Sequence, residues 1–234
     1  HAHTLVQELA PYGLISLTPV VDLDAGNAVI TGMQRAFAQQ PDDVTAMASL
    51  YIEQGLAACG HSATLKHFPG HGRNNGDSHI CQPIDTRTQA TIEQTDMQPF
   101  AHLCQKAQAI MPAHIVYPEV DPNNPVGFSP IWLHDILRGQ LGFTGIIVSD
   151  CLSMAGAGEA DMLDKAERAL AVVDVAIMCN IPPEQALDVL NHIDAHTGLL
   201  APYRHSAFTQ WTAFGKDQRA TLKAQYLATH TVDV

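Results

Sequence analysis

Short apolar runs rich in β-branched residues alternate along this chain with longer segments patterned at helical spacing, and each run stops at a cluster of polar, glycine or proline residues. The runs are 14–18, 63–65, 109–111, 146–148 and 173–178. Residues 42–59, 92–106, 130–141, 161–170 and 183–193 carry apolar side chains at the helical period, and a more polar helix is expected near 218–227. Residues 3–12 read as a helix feeding the first strand. This alternation is the pattern of a parallel α/β architecture. The polar clusters follow each run, at 19–24, 66–79, 112–114, 149–153 and 179–182. In α/β barrels the active site is built where the strands end, so five such clusters are expected to converge on one face.

The chain has 234 residues, enough for a full core, and residues 1–234 read as one domain without internal repeats or low-complexity tracts. Its 24 acidic against 12 basic side chains give a formal charge of −12. That balance repels phosphate backbones and anionic lipid, so nucleic acid and membrane surfaces are poor partners. No apolar run approaches the length of a membrane span, and a soluble chain is expected. Five cysteines, Cys59, Cys81, Cys104, Cys151 and Cys179, are odd in number and contain no CxxC pair. They suggest neither a disulfide framework nor a zinc knuckle, and a reducing, cytoplasmic compartment fits them. Thirteen histidines are the first compositional hint of chemistry. Six of them (His61, His102, His134, His192, His196, His205) lie in polar or helical surroundings, where surface or capping roles are expected.

Two strand-end segments carry the chemistry. The first runs Lys66-His67-Phe68-Pro69-Gly70-His71-Gly72-Arg73-Asn74-Asn75-Gly76-Asp77-Ser78-His79. A strand ends at a cation and an imidazole, Pro-Gly turns the chain, and a mobile Gly/Asn-rich stretch delivers an Asp-x-His pair. The carboxylate of Asp77 can hold one ring nitrogen of His79 and leave the other free to exchange a proton near neutral pH. A solvated loop with capping polar residues is the bland alternative, and the density of polar residues, Gly and Pro directly after a strand weighs against it. The second segment, Gly145-Ile146-Ile147-Val148-Ser149-Asp150-Cys151-Leu152-Ser153-Met154, is a buried strand ending in Ser-Asp. Asp150 is therefore either a carboxylate at a catalytic rim or the cap of a following helix. The irregular stretches 68–87 and 117–128 are long enough to be functional loops.

Lys-His-Phe-Pro-Gly-His-Gly with Asp-Ser-His, then Met111-Pro112-Ala113-His114, then Val148-Ser149-Asp150 with Leu152-Ser153-Met154, resemble the family 3 glycoside hydrolases. Within that family the resemblance is to the β-N-acetylhexosaminidases of bacterial cell-wall recycling. It extends through Thr18–Leu23, Arg35-Ala36-Phe37 and Gly127-Phe128-Ser129-Pro130 and covers residues 5 to about 195. The resemblance implies a (β/α)8 TIM barrel and double displacement, releasing terminal β-linked N-acetylglucosamine from muropeptide fragments. Asp150 matches the family nucleophile and His79 its acid/base, with Asp77 completing the dyad. Arg35, Lys66 and His67 match residues that hold the sugar, and His114 and Met154 are expected in the same pocket. No metal or cofactor is implied. The partner is a small saccharide, and a monomer is the default oligomeric state.

Most retaining glycosidases use two carboxylates about 5–5.5 Å apart. An imidazole acid/base carries no negative charge at any stage, tolerates an anionic acceptor, and leaves phosphorolysis open beside hydrolysis. Two departures stand out. Cys151 occupies the place where the family usually has a second acid, and five runs are too few for an eight-stranded barrel of about 250 residues. The resemblance therefore implies a barrel lacking its N-terminal strands and an upstream Asp-Gln-Glu-Gly-Gly-type segment. Two other readings stay open. One is a metal-dependent barrel hydrolase using His1, His3, Lys66, His67, His114 and Asp150. The other is a catalytically weakened N-acetylglucosamine-binding homologue.

Overall fold

The structure, a computed structural model, describes residues 2–9, 17–195 and 216–229, together with residues 209, 211 and 213. Its strands are β1 (Thr64–Phe68), β2 (Ala109–Pro112), β3 (Val116–Tyr117), β4 (Asp121–Pro125), β5 (Ile146–Cys151) and β6 (Val175–Ile177). The parallel sheet runs β1-β2-β5-β6, and β3 and β4 form a separate antiparallel pair. Residues 18–21 lie beside β1: Thr64 N–H donates to Thr18 O at 2.7 Å, Val21 N–H donates to Lys66 O at 2.8 Å, and Val20 bridges Lys66 in parallel. The pairing thus extends past the end of the expected run 14–18, whose residues 14–16 lie outside the described part.

The remaining strands differ from expectation mostly at their ends. The run 63–65 continues through Lys66, His67 and Phe68, and 146–148 continues through Ser149, Asp150 and Cys151. Polar residues were read as strand stops, but here they close a ladder whose last positions face a cavity. Seven α-helices are described: α1 (Ala2–Leu9), α2 (Pro41–Leu50), α3 (Gln89–Glu93), α4 (Gln98–Leu103), α5 (Met162–Leu170), α6 (Pro183–Ala195) and α7 (Lys216–Thr229). The expected helix 42–59 is α2 continued by a π-type turn at Tyr51–Leu56 and a 3-10 turn at Ala57–Cys59, ended by Gly60 at φ 71°. That left-handed conformation is one glycine adopts without a Cβ clash. The expected helix 92–106 is broken into α3, α4 and a 3-10 turn at Cys104–Lys106, because Pro99 takes a first-turn position of α4 and cannot sit in a helix interior. Ile131–Gln140 also winds with π-type hydrogen bonding.

The sheet is covered on both faces. Ile110 and Ile147 join the large core of Leu65, Phe68, Phe100, Tyr117 and Trp132, where Phe68 meets Phe100 and Trp132 edge-on at 5.4 and 6.0 Å. Their neighbours Ala109, Met111, Ile146 and Val148 point to the opposite face and pack with Leu17, Val175, Ile177 and Trp211. This alternation follows from the period of two along a strand. Each fully buried large apolar side chain contributes about 1.5–3 kcal/mol, so the strand ends are carried on a rigid platform. Among the described residues no helix is long and apolar enough to cross a membrane.

Candidate active site

The C-terminal ends of β1, β5 and β6 open onto one cavity of about 200 Å³, lined by Lys66, His67, Asp150 and Cys151 from the strands and by Arg35, His71, Ser78 and His79 from the surrounding loops. Met111 of β2 and Ile177 of β6 form part of its apolar wall. Drug-sized ligands occupy about 300–1,000 Å³, so the room here suits one small polar molecule. A wider groove of about 580 Å³ runs along 73–87, but two of its charged groups, Arg87 and Asp85, are paired at 2.7 Å.

His67 enters the cavity already oriented. Asp22, fully buried, accepts from His67 Nδ1 at 2.7 Å, from the His67 backbone N–H at 3.1 Å and from the His71 backbone N–H at 2.7 Å. Burial pushes the Asp22 carboxyl up, but its contacts with His67 and His71 together outweigh that and hold it below the usual carboxylate range. With its Nδ1 proton given to Asp22, His67 has Nε2 left for a ligand. Lys66 sits beside it, with its ammonium driven down by burial and by Arg35, and held up partly by Asp150 and Asp22. Lys66 is thus close enough to feel the charges of both Arg35 and Asp150, which line the same cavity.

His79 arrives on the loop that leaves β1. Asp77 Oδ1 accepts from His79 Nδ1 at 2.8 Å and from its backbone N–H at 2.9 Å, and these two bonds lower the Asp77 carboxyl. The expected contact between the two side chains is therefore present, with His79 held through Nδ1. The loop expected to be mobile is tied down at several points. Arg73 pairs with Asp96 at 3.2 Å, Tyr117 donates to Gly70 O at 2.9 Å, and the Asn27 side chain donates to Asn74 O. Ser78, buried between the dyad residues, bonds His71 Nε2 through its hydroxyl at 3.0 Å and accepts at its carbonyl from Gly156 N–H at 2.8 Å.

The model of the glycosyl hydrolase family 3 N-terminal domain matches residues 2–199. The chain belongs to this family. It is 45% identical over 204 residues to a beta-hexosaminidase of Chromobacterium violaceum, covering 86% of this chain and 54% of that protein. A beta-hexosaminidase of Shewanella frigidimarina is 48% identical over 170 residues, which are 71% of this chain and 49% of that one. The chain thus spans about half the length of these relatives. Among solved structures, NagZ from Neisseria gonorrhoeae in complex with N-trifluoroacetyl-D-glucosamine superposes with a TM-score of 0.78 at 33% identity, over 95% of this chain and 67% of that one.

In this family 3 chain the remaining expected residues stand elsewhere. His114 is fully buried behind β5, stacked on Phe128 at 5.5 Å, and does not line the cavity. Burial lowers its imidazole, against the opposing pull of Asp150. Met154 is likewise buried and absent from the cavity wall, because the chain turns away after Cys151. Among the described residues no three His, Cys, Asp or Glu side chains gather as a metal site; His3 is exposed on α1, and His1 lies outside the described part. His61, expected at the surface, is buried, while His102 and His192 bond Gln98 O at 2.8 Å and Glu167 at 2.6 Å; His196 and His205 lie outside. Sequence reasoning gave no roles to Asp22, His71 and Ser78. Asp22 follows an apolar Val20-Val21 pair at a strand end, the same signal that singled out Asp150.

Proposed function

We propose that this chain carries the catalytic machinery of a retaining exo-β-N-acetylglucosaminidase. The observation that carries this reading is that Asp150 and His79, from separate elements, line one small cavity, with Asp77 bonded to the imidazole. Asp150 attacks the anomeric carbon of a terminal sugar, and His79, cationic, gives its Nε2 proton to the departing oxygen. Neutral His79 then takes a proton from water, which attacks the same carbon and releases Asp150. Arg35, Lys66 and His67 hold the hydroxyls and the N-acetyl group.

N-acetylglucosamine is favoured as the sugar by the beta-hexosaminidase relatives and by the N-trifluoroacetyl-D-glucosamine bound in the NagZ structure. Muropeptide fragments are the substrate this reading assigns, in the cytoplasm of the cell, with the protein acting as a monomer. The parallel sheet fits a portion of a (β/α)8 barrel.

The test is release of para-nitrophenol from its N-acetyl-β-glucosaminide by the full chain and by Asp150→Ala. Turnover by the first, unaffected by EDTA, and none by a folded second is expected. Binding of N-acetylglucosamine without any turnover contradicts the reading, and activity lost with EDTA and restored by zinc points to a metal-dependent hydrolase instead.

A further inference from the structure

Two cysteines from neighbouring strand ends meet at the rim of the cavity, and the chemistry proposed above uses neither. Cys151 closes β5 in register with Ile177 of β6, and Cys179 follows two residues later. The Cys179 backbone N–H donates to Cys151 Sγ at 3.2 Å, Cys151 Sγ lies 3.0 Å from Ser153 Oγ, and it reaches the Cys179 carbonyl oxygen at 4.0 Å. Both are free thiols, Cys151 part-exposed and Cys179 exposed, and both line the cavity. Cys179 is offset by two residues from the Cys151–Ile177 register, and what brings it to the other sulfur is its backbone N–H, 3.2 Å from Cys151 Sγ. A disulfide takes a Cα separation of about 4.4–6.8 Å, so the bridge draws the chain after β6 toward the end of β5.

The two sulfurs also differ in character. Burial pushes the Cys151 thiol up, but hydrogen bonds from Ser153 and Cys179 outweigh it and bring the group below the ordinary cysteine value. The Cys179 thiol is pushed up by burial and by its neighbours Cys151 and Asp150. The thiolate is the nucleophilic form, so Cys151 is the attacking sulfur and Cys179 the resolving one.

We propose that Cys151 and Cys179 form a dithiol site that a peroxide converts into a disulfide across the cavity rim. The Cys151 thiolate attacks a peroxide oxygen, the O–O bond breaks, and hydroxide leaves to become water, giving a sulfenic acid. Cys179 loses its proton and attacks that sulfur, the S–O bond breaks, and a second water departs. Two thiols are oxidised to one disulfide while one hydrogen peroxide is reduced to two waters. The Cys151 backbone N–H donates to Asp150 Oδ1 at 2.7 Å, so drawing Cys151 toward Cys179 shifts the carboxylate. That consequence rests on the proposed role of Asp150; formation of the disulfide does not.

The experiment treats the full chain with hydrogen peroxide, alkylates the remaining thiols with iodoacetamide, and maps the peptides by mass spectrometry. A peptide joining Cys151 to Cys179 and separated by dithiothreitol is expected, with Cys179→Ser stopping at a dimedone-reactive sulfenic acid on Cys151. Equal alkylation of both residues before and after peroxide overturns the site, as does a crosslink from either one to exposed Cys81 instead. Glycosidase activity on the same samples is expected to fall about a hundredfold, the order of loss caused by misplacing a reacting group by about 1 Å, and to return with dithiothreitol. A mapped disulfide with unchanged turnover overturns the coupling to Asp150 alone. Absence of turnover in both samples counts against the glycosidase reading, while the peptide map still decides the disulfide.

Discussion

Asp22 is the buried charge on which the front of the cavity depends, and replacing it by alanine tests that dependence. The substitution strips the acceptor from three donors at once, the His67 ring at 2.7 Å and the backbone N–H groups of His67 and His71 at 3.1 and 2.7 Å. Charge-assisted hydrogen bonds contribute about 1.5–3 kcal/mol each, but the variant also escapes the cost of burying a carboxylate. The net loss falls near the roughly 3–5 kcal/mol measured when one partner of a buried pair is removed. At about 2–4 °C per kcal/mol for a chain of this size, the melting temperature drops by roughly 6–20 °C. Asp22→Asn keeps an acceptor for the backbone donors and is expected to lose less. Urea titrations followed by far-UV circular dichroism give both values. The carboxyl is held below its ordinary range in the fold, so its stabilisation is complete above the unfolded value of about 4 and is lost as pH falls through the lower folded value. The gap between wild type and Asp22→Ala therefore narrows only below about pH 4. A variant within about 1 kcal/mol of wild type at neutral pH refutes the reasoning.

Two further perturbations probe the site. Gly127→Ala places a Cβ 2.8 Å from His114 Nδ1 and 2.9 Å from its Cε1. The imidazole, stacked on Phe128, has nowhere to go, and a loss of about 1–3 kcal/mol in urea titrations is expected; wild-type stability means that His114 is less confined than its packing indicates. His79→Ala is expected to slow substrates with poor leaving groups by about 10²–10⁴-fold and activated aryl glycosides far less, as read from paired turnover rates; equal slowing assigns His79 to binding.

The parallel α/β class and the strand-end clusters were legible because apolar periodicity and polar stops are local signals. The dyad was legible for the same reason, since Asp77 and His79 are two residues apart. Asp22 and His67 are separated by 45 positions, and nothing in the pattern of either segment says which carboxylate will reach which imidazole. The stretch 117–128, read as an irregular loop, holds the β3–β4 pair. Its Asp-Pro-Asn-Asn-Pro composition imitates a loop, while Asp121 gathers the backbone N–H groups of Asn123 and Asn124 and the Ser129 hydroxyl at 2.6 Å. The family resemblance implied that His114 lines the pocket. Its side chain turns instead into the gap left by Gly127 and Gly156, a contact set by tertiary packing.

Asp150 is the proposed nucleophile of a retaining reaction. Incubation with a fluorosugar of N-acetylglucosamine configuration, followed by peptide mapping, tests it most directly. A glycosyl adduct on Asp150, absent in Asp150→Ala, is the predicted result; an adduct on any other residue contradicts the account.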